Sequence, residues 1–217
     1  MQHAVLEREA IKASRAEALA DALSGSRSAA RGGAGTSAYE PGSGVAVFAD
    51  EVIALSPYHP SWPARYRVEA EVLRVALAAC TPHLEHVGST AVPGLAAKPI
   101  VDILVGIERP ADIDAHTGRL ANFGYRAIGG SEYSERDQRF LVRTVRGVRT
   151  HHVHVVEHMN DSWHRLLLFR DVLRIDPQLA AEYEQLKRKL AAQFPTSRLG
   201  YTAGKSEFIK SVIGVTV

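Results

Sequence analysis

Cysteine is almost absent from this sequence, because Cys80 is the only one among 217 residues. An internal disulfide needs a second cysteine and a Cys-rich zinc site needs several, so both are excluded. Acidic residues are scattered through residues 1–23, which therefore lack the apolar core of a secretion signal. A chain with neither feature is expected in the reducing cytoplasm.

A strong charge of one sign and long apolar runs are also lacking. Lys and Arg total 26 against 24 Asp and Glu, which gives a net charge of +2. Proteins that follow nucleic acid or a membrane surface need clustered, uncompensated basic residues. Asp102 interrupts the longest apolar run, residues 100–107, whereas a membrane span needs roughly 20 apolar residues. We therefore expect neither extended nucleic acid nor a membrane as a partner.

Residues 24–44 contain no Val, Ile, Leu, Met, Phe or Trp, but six Gly and five Ser. Such a segment buries too little apolar surface to offset the entropy of ordering, so a flexible linker is predicted. Residues 4–23 are rich in helix-forming residues. The sequence thus predicts a flexible N-terminal extension over residues 1–45, with a short helix in it, and one domain over residues 46–217.

Hydrophobic periodicity predicts the order of elements in that domain. A first helix is expected to begin after Ser61 as its N-cap, with Pro63 in its first turn. Strands are predicted over residues 83–88 and 100–107, a helix over 111–123, and a hairpin of 138–144 with 151–156 that turns through Gly147. Helices are predicted over 161–175, 177–194 and 201–213. This order favours an α/β or α+β fold in which a sheet carries an added helical bundle.

The turn after the first predicted strand carries Gly88, Ser89 and Thr90, and Lys98 precedes the next strand. Glycine lets a backbone N–H approach an anion, and the hydroxyl groups add donors, so this turn is a candidate phosphate site; an ordinary tight turn is the alternative. Asp102 lies within an apolar strand, where a carboxylate needs a cation or several donors. It is either a metal ligand or a structural acid paired with a basic residue.

Histidines alternate on the second strand of the predicted hairpin. Side chains two residues apart share a face of a strand, so His152 and His154 point one way and His151 the other. Two imidazoles on one face can join a carboxylate around a metal or orient a phosphate, although strand histidines are often only polar surface residues. Arg139, on the partner strand, is a candidate for binding an anion, with a solvated surface position as the alternative.

Tyr201 and Lys205 belong to the last predicted helix, over residues 201–213. Tyr201, Lys205, Phe208 and Val212 follow the spacing i, i+4, i+7 and i+11 of one helix face. This spacing places Lys205 in the apolar stripe that faces the protein. A lysine in such a stripe either extends to the rim or points into a polar cleft.

Residues 86–103 read HVGSTAVPGLAAKPIVDI, and this stretch resembles the signature of the GrpB-like family, within the nucleotidyltransferase-fold superfamily. Residues 58–62, 139–140, 150–154, 166–171 and 201–209 extend the resemblance over nearly all of 52–217. It implies a nucleotidyltransferase-like α/β fold, a mixed sheet with flanking helices followed by a C-terminal helical bundle.

The superfamily places a Gly-Ser at the end of one strand and two carboxylates at alternate positions of the next, where they hold Mg²⁺ and a triphosphate. Gly88, Ser89 and Asp102 match this layout, but Leu104 stands where the second carboxylate would be. A single acid holds less cation charge than a pair. We therefore hypothesise that Asp102, His152 and His154 converge, as catalytic residues and as ligands of one divalent metal, Mg²⁺ or Mn²⁺.

Two functions remain open at this point. The first is an enzyme that transfers a nucleotidyl or related phosphoryl group; the second is a non-catalytic accessory module that binds a nucleotide or a CoA-like ligand. In both, a nucleotide or another phosphorylated small molecule is the expected partner of a monomer or homodimer. The residues expected to bind it are Gly88, Ser89, Thr90, Lys98, Arg139, Tyr201 and Lys205.

Overall fold

A computed structural model describes residues 52–128 and 138–214. The extension predicted over residues 1–45 lies outside the described residues. Strands in the described ranges are β1 (His83–Val87), β2 (Val101–Ile107), β3 (Tyr125–Ile128), β4 (Gln138–Val145) and β5 (Val148–Glu157). They form one sheet in the order β1-β2-β5-β4-β3.

Helices flank this sheet. They are α1 (Trp62–Ala76), α2 (Thr117–Asn122), α3 (Asp161–Ile175), α4 (Pro177–Gln193), α5 (Arg198–Ala203) and α6 (Ser206–Ile213). Short 3₁₀ segments occur at Ala78–Cys80, Ser89–Ala91 and Pro110–His116. In these two ranges of the chain, every helix is too short or too polar to cross a membrane.

The sheet is mixed. Strands β2 and β5 run parallel, whereas β1 pairs with β2, β4 with β5, and β3 with β4 in antiparallel fashion. A mixed sheet with helices packed on it confirms the predicted α/β fold class.

Alternation along β2 separates two environments. Ile103 and Val105 pack with Leu73 of α1 in the main apolar core. Leu104 points to the opposite face, where it packs with Trp163 of α3. Because side chains two residues apart share a face, Asp102 lies on the α3 face, beside Leu104 in the same strand.

Two predicted helices differ from the observed ones, and one strand was missed. Residues 110–122 form the 3₁₀ segment Pro110–His116 followed by the short α2, and at their junction Thr117 Oγ1 donates to the Asp114 carbonyl at 3.0 Å. The predicted helix 201–213 is two helices that meet at Gly204 and Lys205. The missed strand, β3, has four residues and pairs, within the described residues, only with β4.

The first helix begins where the sequence predicted, but Ser61 does not cap it through its side chain. The Ser61 hydroxyl is instead hydrogen-bonded to His59 Nδ1 at 2.7 Å. The start of α1 therefore depends on Pro63, whose fixed backbone angle suits the first helical turn.

Candidate functional site

A cavity of about 200 Å³ lies on the α3 face, where the start of β2 meets α4 and α5. The turn after β1 and strands β4 and β5 complete its wall. Sites for whole small molecules are usually ~300–1,000 Å³, so this cavity is smaller than a site that encloses a whole ligand of that kind.

Asp102 lines this cavity and is flanked by two imidazoles. In the parallel pairing of β2 with β5, Asp102 is opposite His152. Asp102 Oδ1 is 3.0 Å from His152 Nδ1 and 3.6 Å from His154 Nε2. An ionised carboxylate only accepts hydrogen bonds, so Nδ1 of His152 is the donor. The structure thus brings together the three residues that were predicted to converge.

The pKa of Asp102 lies well below its ordinary value. Burial by itself would raise this pKa, but the hydrogen bonds and charge of His152 and His154 outweigh burial. The carboxylate is therefore ionised throughout the physiological pH range. His154 is the more accessible imidazole, with 31% of its side chain exposed against 11% for His152.

Gly88 lets this carboxylate lie against the backbone. Its φ is +69°, and a methyl group built on it would overlap Asp102 Oδ2 and lie 3.0 Å from the Asp102 Cβ and Cγ. Any residue with a side chain would therefore be strained in its backbone and would displace the acid. Gly88 thus positions Asp102, a role that differs from the predicted approach of its N–H to a phosphate.

The two hydroxyl residues after Gly88 differ in availability. Thr90 is buried, with 1% exposure, and its Oγ1 is 3.0 Å from His86 Nε2. Burial, aided by nearby arginines, lowers the pKa of His86 to about 4, so this imidazole is neutral and the pair is an internal hydrogen bond. Ser89 is partly exposed at the cavity wall. Of the two hydroxyls, Ser89 is the better placed to meet a ligand.

Lys98 and Lys205 approach the same aromatic ring. Their Nζ atoms are 5.8 Å and 4.6 Å from the centroid of Tyr201, which is itself 3% exposed. Lys205 reaches this position from the junction of α5 and α6 rather than from the stripe of one continuous helix. Burial lowers the pKa of Lys205 to about 8. Repulsion from Lys98 and Arg198 also lowers this pKa, whereas attraction to Asp102 raises it.

Sequence reasoning missed two basic residues of the cavity. Arg198, at the start of α5, has its guanidinium carbon 5.9 Å from the ring centroid of Phe140. Lys187 of α4 is 2% exposed, donates a hydrogen bond to the Ala96 carbonyl, and has a pKa that burial lowers to about 7. Lys187 follows buried Tyr183 by four residues, so the stripe argument applied to Lys205 would also have found it. No comparable signal marks Arg198.

The structure places Arg139 away from the cavity. Its neighbour Phe140 lines the cavity, so Arg139 points to the other face of β4. There its Nε and Nη2 donate to the two carboxylate oxygens of Asp114, each at 3.0 Å. The prediction that Arg139 neutralises a bound anion is therefore corrected: it fastens the 3₁₀ segment to the sheet.

The predicted three-ligand metal site does not fit the structure. His152 Nδ1 donates a hydrogen bond to Asp102 Oδ1, and His154 Nε2 lies 3.6 Å from the same oxygen. Across residues 52–128 and 138–214, no group of three or more His, Cys, Asp or Glu side chains is arranged to hold a metal ion. Asp102, His152 and His154 form a carboxylate–imidazole cluster instead.

Fold and site together define an α/β protein with a carboxylate–imidazole cluster inside a basic cavity. The chain belongs to the GrpB family, whose model, described as GrpB protein, matches residues 52–214. The predicted resemblance is confirmed.

Relatives and solved structures agree with this assignment. A UPF0157 protein of Pseudomonas aeruginosa is 40% identical over 168 residues, which cover 76% of this chain and 68% of that protein. The crystal structure of the conserved protein GrpB from Enterococcus faecalis matches with 35% identity and a TM-score of 0.66, over 74% of this chain and 95% of that one. The Cid1 poly(U) polymerase also matches, at 12% identity and a TM-score of 0.46 over 69% of this chain and 49% of that one, a likeness too low to carry an argument about activity.

Proposed function

We propose that this protein binds the phosphate end of a nucleotide or another phosphorylated small molecule and transfers a nucleotidyl or related phosphoryl group from it. One observation carries the proposal: four basic side chains and the carboxylate–imidazole cluster line the same cavity. Phosphoryl transfer asks little covalent chemistry of a protein and depends on positioning and on neutralising charge. This cavity has groups for both tasks.

The basic side chains hold the phosphate. Charged donors to the phosphate oxygens come from Lys98 and Lys205, which both approach the Tyr201 ring. Arg198, near Phe140, supplies a further charged donor. The Ser89 hydroxyl adds a neutral donor from the turn after β1. Charge that develops on the leaving group is stabilised by the same ammonium and guanidinium groups.

His154 accepts the proton of the attacking hydroxyl. It is the more accessible imidazole of the cluster, and its Nε2 is 3.6 Å from Asp102 Oδ1, near enough for the carboxylate to stabilise the imidazolium that forms. In the transfer, the acceptor oxygen forms a bond to phosphorus, the bond from phosphorus to the leaving group breaks, and the acceptor proton moves to His154. His152 holds Asp102 in place through its 3.0 Å hydrogen bond.

A specific observation favours the second candidate, a non-catalytic module that binds a nucleotide or CoA-like ligand. Leu104, at the position of the second carboxylate in the nucleotidyltransferase layout, is fully buried among Val87, Val156 and Trp163. A site with one acid can keep its affinity for phosphate after losing the ability to drive transfer.

Turnover separates the two candidates. The purified chain is incubated with ATP or CTP and a small-molecule extract of bacterial cells, and nucleotidylated or phosphorylated products are identified by mass spectrometry. Transfer predicts nucleotide consumption with new products, and His154→Gln should slow it by ~10²–10⁴-fold because the general base is lost. His59→Gln is the control, since His59 is an exposed histidine before α1.

Calorimetric titration with the same nucleotides completes the test. Binding without any consumption would support the accessory module and contradict the enzyme. Equal turnover by His154→Gln and His59→Gln would contradict the role given to His154. If neither ATP nor CTP binds, the proposal that the ligand is one of these nucleotides is wrong for both candidates.

A further inference from the structure

The carboxylate that would receive a metal has close neighbours on both oxygens. Asp102 Oδ1 is 3.0 Å and 3.6 Å from nitrogens of two imidazoles. Asp102 Oδ2 lies so close to the Gly88 backbone that a methyl group there would overlap it. Mg²⁺ binds oxygen at about 2.0–2.1 Å and demands nearly ideal octahedral geometry, whereas this site offers it one carboxylate that is flanked by two imidazoles.

The next position that could supply an acid is closed as well. Leu104 is fully buried in an apolar cluster with Trp163, so a metal at Asp102 would gain no second carboxylate from β2. Of the described residues that line the cavity, Asp102 alone is acidic.

Basic side chains line the cavity and can supply the positive charge that a phosphate-bound metal would otherwise supply. Lys98 and Lys205 both approach Tyr201, at 5.8 Å and 4.6 Å, and Arg198 shares the cavity with them. Lys205 and Lys187 also repel each other, and this repulsion contributes to the lowered pKa of Lys187. A doubly charged metal would add to this repulsion, whereas a phosphate anion relieves it.

We infer that the cavity binds its ligand as the metal-free phosphate anion, with Lys98, Arg198 and Lys205 providing the charge that a divalent metal provides in the nucleotidyltransferase layout. The inference rests on the proposed function for the nature of the ligand, a phosphorylated small molecule. It goes further by specifying the ionic form that is recognised: the free di- or triphosphate end rather than its magnesium complex.

Calorimetry with inorganic pyrophosphate and with ATP tests this inference on the unmodified chain. Each titration is run in EDTA and again with Mg²⁺ in excess over the ligand. Both ligands should bind in EDTA, and excess Mg²⁺ should weaken binding at least about tenfold, because it removes the free anion. Binding that occurs only with Mg²⁺, or that Mg²⁺ tightens, would overturn the inference.

Variants identify the site that is responsible. Lys205→Gln should weaken pyrophosphate binding in EDTA by about tenfold to a hundredfold, the usual effect of losing one hydrogen bond to a charged group. Lys189→Gln, an exposed lysine of α4, is the matched control and should leave binding unchanged. Equal affinity of the two variants would overturn the inference. The comparison of EDTA with Mg²⁺ needs no variant, so a folding defect in Lys205→Gln does not remove the test.

The outcomes also separate this inference from the proposed function. Nucleotide turnover with strictly metal-dependent binding would overturn the inference and leave the proposed function standing. Binding of pyrophosphate and ATP in EDTA by a chain that never consumes nucleotides would support the metal-free site and overturn the proposed transfer.

Discussion

Substitution of Gly88 tests the contact that places the central acid. In Gly88→Ala the backbone must keep φ near +69°, which costs a residue with a Cβ ~1–2 kcal/mol. The new methyl group also overlaps Asp102 Oδ2 and lies 3.0 Å from two further Asp102 atoms. Forcing a methyl group into a filled position costs ~1–3 kcal/mol. Together these effects predict a loss of roughly 2–5 kcal/mol in the free energy of unfolding.

Gly94→Ala is the matched control. Gly94 also has a positive φ, +81°, but no heavy atom lies within 4 Å of a methyl group built there. This variant should therefore lose only the backbone contribution, ~1–2 kcal/mol. Urea unfolding measures both losses through tryptophan fluorescence, because Trp62 and Trp163 are 2% and 5% exposed in the folded protein.

Equal losses of stability in the two variants would refute the reasoning, because Gly88 would then carry backbone strain and nothing more. Pyrophosphate binding in EDTA gives an independent measurement. Gly88→Ala should weaken it because the strained turn also carries Ser89, the hydroxyl donor at the cavity wall, whereas Gly94→Ala should bind as the unmodified chain does.

Three further predictions follow from buried groups. Leu104→Asp places a charge in the apolar cluster around Trp163 and should cost ~3–5 kcal/mol, which thermal unfolding followed by circular dichroism would detect; an unchanged melting temperature would show that water reaches this position. Lys187→Met should raise the free energy of unfolding at pH 7. The reason is that the Lys187 amine is protonated in the unfolded chain at this pH, whereas burial makes the protonated amine unfavourable in the folded protein. The advantage should shrink by on the order of 4 kcal/mol as pH approaches 10, because the folded pKa is about 7, and urea unfolding at pH 7 and 10 measures it. The affinity for pyrophosphate should fall about tenfold per pH unit above pH 8. The pKa of Lys205 is lowered to about 8, so above that pH the neutral amine must be protonated before it can bind the anion. Calorimetry that shows a constant affinity from pH 7 to 9.5 would contradict this.

Local pattern was enough to predict much of the sheet and part of the site. The alternation of His152 and His154 along β5 predicted that they share a face, and both do lie beside Asp102. The apolar run that Asp102 interrupts is strand β2. These features depend on the period of a strand, which the sequence displays directly.

Other features depend on elements that are distant in sequence. Tyr125–Ile128 becomes a strand only because β4 offers it a pairing edge. Arg139 binds Asp114, which is 25 residues away, so the sequence of β4 alone could not indicate its partner. Gly204 ends α5 where a methyl group would overlap Leu190 of α4, a packing constraint that helical periodicity does not contain.

By itself, the sequence determined the fold class, the family and the strand faces that carry Asp102, His152 and His154, because these follow from local periodicity and motif. Only the tertiary structure decided that His152 hydrogen-bonds to Asp102 while His154 lies 3.6 Å from it, and that no group of three such side chains in the described residues is arranged to hold a metal. It also decided that Lys187 and Arg198 line the cavity and that Arg139 binds Asp114 instead. The physical reason is that charge and hydrogen bonding act between side chains separated by up to about a hundred residues. The register of β2 with β5 and the packing of α4 and α5 against the sheet set those distances.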